Sequence, residues 1–175
     1  MEFTFDEIQN TIANCIVPPK FKKEDNFFEI GTRGYYENPF TEVLSYLISP
    51  ESSYGHRNQF VRLFLKSISS LSAEVIESFI REIEIKTQYP TLKGNYIDLV
   101  IYNSKYILVF ENKINHWLAN PIFDYVDDVS KRNQSLIPHF FVFSSNSISA
   151  PEPWKNIIIG DIFTSIRQNI STQLN

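Results

Sequence analysis

Tyr96-Ile97-Asp98-Leu99-Val100-Ile101 and Tyr106-Ile107-Leu108-Val109-Phe110-Glu111-Asn112-Lys113 decide how this chain is read. Both stretches are short and rich in β-branched and aromatic residues, so they read as neighbouring strands. Only Asn103-Ser104-Lys105 lies in the tight turn between them, which suits a hairpin. Strand side chains alternate between faces, so Glu111 and Lys113 point one way and Asn112 the other. An apolar strand that ends in an acid and a base on one face is unusual, because charges are rarely set against a core unless paired or bound to metal. A salt bridge at a strand end is the plain reading of Glu111 and Lys113. Asp98 on the preceding strand adds a second carboxylate. Two carboxylates beside an ammonium make a site for a hard divalent cation such as Mg²⁺, which takes one or two carboxylates and fills its other positions with water and phosphate. There the ammonium can orient a water for attack on phosphorus while the cation stabilises the developing negative charge.

Around this hairpin the periodicities predict a mixed α/β domain. Residues 2–16 carry Phe5, Ile8, Ile12 and Cys15 at helical spacing, ended by Val17-Pro18-Pro19. Lys20 to Glu29 reads as a charged connector, with Gly31 and Gly34 bracketing a turn. Asn38-Pro39 opens a helix whose apolar stripe is Phe40, Val43, Leu44, Leu47 and Ile48. A second helix carries Phe60, Leu63, Phe64 and Ser67, and a third covers roughly Ala73 to Phe79 with Ser72 as N-cap. Glu82 to Thr87 alternates as a strand, and Pro90 with Gly94 turns the chain into the Asp98 strand. After Lys113 the sequence predicts a helix from His116 to Val129, a strand from Ile137 to Phe143, a short strand at Ile157-Ile158-Ile159 and a closing helix from Ile162 to Ile170. The expected architecture is one domain with a central mixed sheet of four to five strands flanked by helices. Residues 1–80 form its helical part, 81–145 its sheet core and 146–175 its closing strand and helix.

Composition narrows the function classes. At 175 residues the chain is long enough for a real core, and its 15 Phe and 9 Tyr argue against disorder. A formal net charge of -4 argues against indiscriminate nucleic-acid binding, although only the face around a site need be positive. Cys15 is the single cysteine, so no disulfide frame or cysteine-based zinc site is expected. His56, His116 and His139 lack metal-ligand spacing and read as structural. No basic leader and no membrane-length apolar run is visible, so a cytoplasmic protein without membrane attachment is expected.

These elements and residues resemble the PD-(D/E)XK nuclease superfamily, in which a helix precedes a three-strand meander, a crossover helix and a fourth strand. Its acid lies in the second core strand and its E-x-K in the third, matching Asp98 and Glu111-Asn112-Lys113. A closer resemblance is to a bacterial branch with an upstream E…LAWLLDP…HG…FL..FL helix region. Glu37, Leu44, Leu47, Ile48 and Pro50 fall on its acid, leucines and proline, and Phe60-Val61-Arg62-Leu63-Phe64-Leu65 follows Gly55. The branch's E-N-K-I is matched by Glu111-Asn112-Lys113-Ile114. Three positions depart from its pattern. Ser49 replaces an aspartate, Tyr54 a loop histidine, and Pro121 the glutamine of Q-L-x-x-Y, whose tyrosine is kept as Tyr125. Asn120 stands one residue before that lost glutamine.

The resemblance implies a restriction-endonuclease-like fold and a Mg²⁺- or Mn²⁺-dependent endonuclease acting on nucleic acid, DNA foremost. It also implies a place in restriction or anti-phage defence and a 5′-phosphate product. Asp98 and Glu111 would bind the metal with the backbone carbonyl of Asn112, and Lys113 would position the attacking water. Glu37, or alternatively Glu42, would complete the metal site. Arg57, Arg62 and Tyr125 are candidate nucleic-acid contacts, with helix-face solvation and core packing as their plain readings; Lys66 and Trp117 are weaker ones. No sequence-reading domain accompanies this core, so loops, a homodimer or a partner chain would supply specificity. The competing expectation is a nuclease-fold binding or regulatory protein that does not cut, in keeping with Pro121 and the acidic charge.

Overall fold

A computed structural model describes residues 37–51, 56–113 and 121–172, with the side chains of residues 37, 38 and 170–172 outside that description. Residues 35–175 group as one compact unit and residues 1–34 as another. The expected helix at 2–16, the connector after it and Cys15 therefore lie outside the described residues, as do Tyr54, Gly55, Trp117 and Asn120.

Three helices come first: α1 (Glu37–Ile48), α2 (Arg57–Lys66) and α3 (Ala73–Arg81). In α1 the buried stripe is Leu44 and Ile48, with Phe40 packed against the same core. These residues are four apart and stack along one side of the helix. Val43, expected on that stripe, is exposed beside Tyr46, because its helical angle carries it off the inward line. In α2, Val61, Leu63, Phe64 and Leu65 are all buried, a pattern too wide for a surface stripe. The helix earns this pattern by packing against α1, α3 and the last helix of the chain. Ser72 caps α3 as its sequence predicts, accepting a hydrogen bond from the Val75 amide.

The sheet follows with β1 (Glu84–Pro90), β2 (Tyr96–Tyr102) and β3 (Tyr106–Lys113) as an antiparallel meander. The β2–β3 turn is closed by the Asn103 side chain, whose Oδ1 accepts from the amides of Lys105 (2.9 Å) and Tyr106 (2.8 Å). Such side-chain mimicry of a backbone turn is why asparagine favours these positions. Helix α4 (Ile122–Arg132) then crosses to β4 (Ile137–Ser144), which runs parallel to β3, and β5 (Trp154–Ile158) adds in parallel beside β4. The five strands lie in the order β1-β2-β3-β4-β5, and α5 (Ile159–Thr172) closes the fold.

Several boundaries differ from expectation: β1 runs Glu84–Pro90 instead of Glu82–Thr87, so Pro90 ends the strand, and α4 continues to Arg132 instead of stopping at Val129. Helix α4 has Pro121 at its N-cap with a non-helical ψ of 56, and the start expected at His116 lies outside the described residues. The last strand starts at Trp154 instead of Ile157, and Ile159 already belongs to α5. The run of three isoleucines marks the strand's end because Trp154 supplies the buried anchor at its start.

Each face of the sheet carries its own core. On one face Leu99, Ile101, Leu108, Phe110, Phe141 and Phe143 meet α1, α2, α3 and α5. On the other, Val100, Ile107, Val109, Phe140 and Val142 meet Ile122, Tyr125 and Val129 of α4. Central strand β3 is buried along its whole length, as expected for a strand covered on both sides. Phe110 stacks on Phe143 at 5.0 Å and on Phe141 at 5.2 Å. Each such ring contributes on the order of 1.5–3 kcal/mol by burial alone. No helix among the described residues is long and apolar enough to cross a membrane.

Candidate active site

At one end of the sheet the β1–β2 ribbon changes faces. Residues two apart on a strand ordinarily share a face. Yet Leu99 belongs to the core under α1–α3, whereas Ile97 belongs to the core under α4. Likewise Ile85 packs with the first core and Tyr89 with the second. The swap occurs at Gln88 and Asp98. Thr87 pairs with Leu99 and Tyr89 with Ile97, but no pair forms between the two residues that lie between them. Gln88 has a φ of +48, a left-handed conformation uncommon in a non-glycine residue. The interruption releases the half-buried Asp98 from either layer.

The β2–β3 ladder also ends there, with its last pair at Leu99 and Phe110. Beyond it the backbone N–H of Asn112 donates to Asp98 Oδ2 at 2.7 Å, and Gln88 Nε2 approaches Asp98 Oδ1 at 3.4 Å. Asp98 is thus fastened to the residue between Glu111 and Lys113. The Glu111 and Lys113 side chains share a face of β3, and Lys113 Nζ lies 2.9 Å from Glu111 Oε1. Both residues are buried, at 1 % and 7 % exposure. Asn112 points to the opposite face and donates through Nδ2 to Thr41 Oγ1 of α1, tying the strand to the helix that opens the described chain.

A buried ion pair is a poor stabiliser, since well-packed apolar replacements are often neutral or better by about 1–4 kcal/mol. Glu111 and Lys113 are therefore better explained by chemistry than by stability. Among the described residues no three His, Cys, Asp or Glu side chains converge as a metal cluster. The described acids here are a pair, and a hard cation held by two carboxylates and a backbone carbonyl needs no third acid. Position 37 lies one turn before Thr41 on the same stripe of α1, but the Glu37 side chain falls outside the description. Glu42 is exposed.

The proposed nucleic-acid contacts are each engaged within the fold. Arg57 Nε donates to the Ile48 carbonyl at 2.9 Å and so closes the end of α1, and burial lowers its pKa. Arg62 pairs through both guanidinium nitrogens with Glu77, joining α2 to α3. Tyr125 is buried and its hydroxyl donates to the Tyr96 carbonyl at 2.9 Å. Lys66 is exposed. Two residues escaped the sequence reading. Thr41 carries only its i+4 spacing from Glu37 as a signal, and nothing local marks Gln88 for a left-handed conformation.

A family model described as the PD-(D/E)XK nuclease superfamily matches residues 25–151, most of the chain. The chain belongs to the PD-(D/E)XK nuclease superfamily. Neither the curated proteins nor the solved structures give a match. The mixed five-stranded sheet flanked by helices agrees with the restriction-endonuclease-like architecture expected of such a nuclease.

Proposed function

We propose that this chain is a divalent-metal-dependent nuclease that hydrolyses phosphodiester bonds of nucleic acid, with DNA as its substrate and a role in bacterial defence. The observation that most supports this reading is the buried Glu111–Lys113 pair beside an Asp98 carboxylate bonded to the Asn112 amide. Asp98 and Glu111, with the Asn112 backbone carbonyl, would hold Mg²⁺ or Mn²⁺, and Glu37 would add to them. The oxygen-only donor set suits such hard cations. When bound, the ion supplies a Lewis acid that offsets the negative charge developing on the phosphate. Lys113 supplies an ammonium whose remaining protons can orient water or a phosphate oxygen, while Glu111 holds that ammonium in place. The Asn112 amide and Gln88 hold the Asp98 carboxylate in one orientation. DNA and a defence role are what the family resemblance implies, and loops, a homodimer or a partner chain would confer specificity.

The test is cleavage of plasmid, linear duplex, single-stranded DNA and RNA by the full chain, with and without Mg²⁺ or Mn²⁺. Asp98→Asn, Glu111→Gln and Lys113→Ala should each abolish metal-dependent cutting. Divalent binding without cleavage on every substrate would overturn the enzyme reading. It would favour the alternative, a regulatory or binding protein on a nuclease fold. One observation favours that alternative: Pro121, the N-cap of α4, offers no side-chain hydrogen bond where the family places glutamine.

A further inference from the structure

The end of the sheet that carries Asp98 and Lys113 is also where large apolar side chains face solvent. Leu92 is 74 % exposed, Tyr96 56 % and Phe123 66 %. Tyr96 lies two residues before Asp98 on β2, and continuing the β2–β3 register brings it level with Lys113. Leu92 sits in the β1–β2 turn and Phe123 in the first turn of α4.

This rim is held rigidly. The Leu92 amide donates to Asp128 Oδ1 at 2.7 Å, and Lys93 Nζ meets Asp124 Oδ1 at 2.5 Å. Tyr125 holds the Tyr96 carbonyl, and Arg132 donates to the Pro90 carbonyl at 2.8 Å. Within the turn, Gly94 adopts a φ of +79 and the Thr91 side chain and backbone bracket Asn95. Four bonds thus clamp the hairpin tip on α4 and leave its apolar side chains outward. Preorganisation of this kind lowers the entropic cost of binding.

Charge decides what such a rim can hold. Lys93 is paired with Asp124 and Arg132 with Asp128, and the chain is net negative at -4. Phosphate contacts depend on available cations, whereas every base has an apolar face that can stack on a ring. A duplex buries its base faces, but an unpaired strand presents them. We propose that Tyr96, Phe123 and Leu92 form a stacking platform for unpaired bases, so that the substrate class is single-stranded or locally melted nucleic acid. This inference rests on the nuclease reading of the adjacent site.

The test measures binding of the full chain to a fluorescent single-stranded oligonucleotide and to a blunt hairpin duplex of matched composition, in Ca²⁺ so that binding is separated from cutting. Single strand should bind at least about tenfold tighter, with a shallow salt dependence. Tyr96→Ala and Phe123→Ala should each weaken it roughly five- to a hundredfold, the range typical of one stacked base. Duplex affinity and thermal midpoint should stay unchanged, and Phe123→Tyr should retain binding. Equal affinity for both nucleic acids, or indifference to loss of the rings, overturns the proposal. A dimer in sedimentation that these substitutions dissociate also overturns it, assigning the surface to a second copy. Metal-dependent cleavage of single strands unaffected by the ring variants would sink the platform and keep the nuclease. Stacking-dependent strand binding with no cleavage of any substrate would do the reverse.

Discussion

Gln88 and Asp98 stand opposite each other at the missing step of the β1–β2 ladder, and the two strands exchange faces at that step. The Gln88 backbone sits at a φ of +48, which costs a non-glycine residue on the order of 1–2 kcal/mol. Local strain of this kind persists where surrounding structure enforces it, and here it frees a carboxylate from both cores. Gln88→Ile adds β-branching to a left-handed backbone and is expected to destabilise the fold by a further ~1–2 kcal/mol. Gln88→Gly relieves the strain, so its stability should stay within about 1 kcal/mol of the parent. That variant also loses the contact to Asp98, so cleavage should fall while the urea midpoint holds. A large stability loss on Gln88→Gly would contradict this account.

The middle residue of the Glu-Asn-Lys triplet works on the other face. Asn112 Nδ2 donates to Thr41 Oγ1, and both residues are buried. Thr41→Val keeps the shape and removes the acceptor, so the fold should lose about 1–3 kcal/mol. Thr41→Ser keeps the oxygen and should lose less, by the worth of one buried methyl. Denaturant midpoints of the two variants check the order; equal losses would mean that packing, not the hydrogen bond, ties α1 to β3.

Much of this site was legible in the sequence because strand alternation is simple. An apolar run ending Glu111-Asn112-Lys113 must put acid and base on one face, and the turn at Asn103 fixes β2 beside β3. The paired strands, the three early helices and the crossover helix were readable for the same reason. The face swap was not, since it depends on a backbone conformation at Gln88 that no neighbouring residue dictates. Nor were the partners of Arg57 and Arg62, because a cation on a helix looks alike whether it meets a carbonyl, a glutamate or a phosphate. Trp154 escaped as the start of β5 because Pro151 and Pro153 made its surroundings read as a loop.

The Glu111–Lys113 pair permits a test of metal binding independent of catalysis. Lys113→Met strips a buried carboxylate of its counter-charge, which typically costs about 3–5 kcal/mol. Adding Glu111→Gln to it should recover much of that loss, a coupling that a double-mutant cycle measures. Mg²⁺ or Mn²⁺ should raise the thermal midpoint of Lys113→Met, since a ligand that binds only the folded state stabilises it. The double variant should respond little. Equal metal responses from the single and double variants would remove Glu111 from the ligand set.

A titration far from the candidate site gives the remaining prediction. His139 lies on β4 between the rings of Tyr106 and Phe141, at 6.1 and 6.4 Å. Its Nε2 is buried without a hydrogen-bond partner among the described residues. Burial, with a smaller push from the Lys155 charge, lowers its pKa below the ordinary 6.5. The unfolded chain therefore takes up this proton at a higher pH than the folded one, so folding stability falls as pH drops. The loss begins near the ordinary value and continues until pH passes below the depressed folded value. His139→Phe removes the proton and keeps an aromatic ring beside Phe141. Its urea midpoint should change less than the parent's between neutral pH and about pH 5, after both are referenced to neutral pH. Parallel curves for the two proteins would show that other groups carry the acid sensitivity in this range.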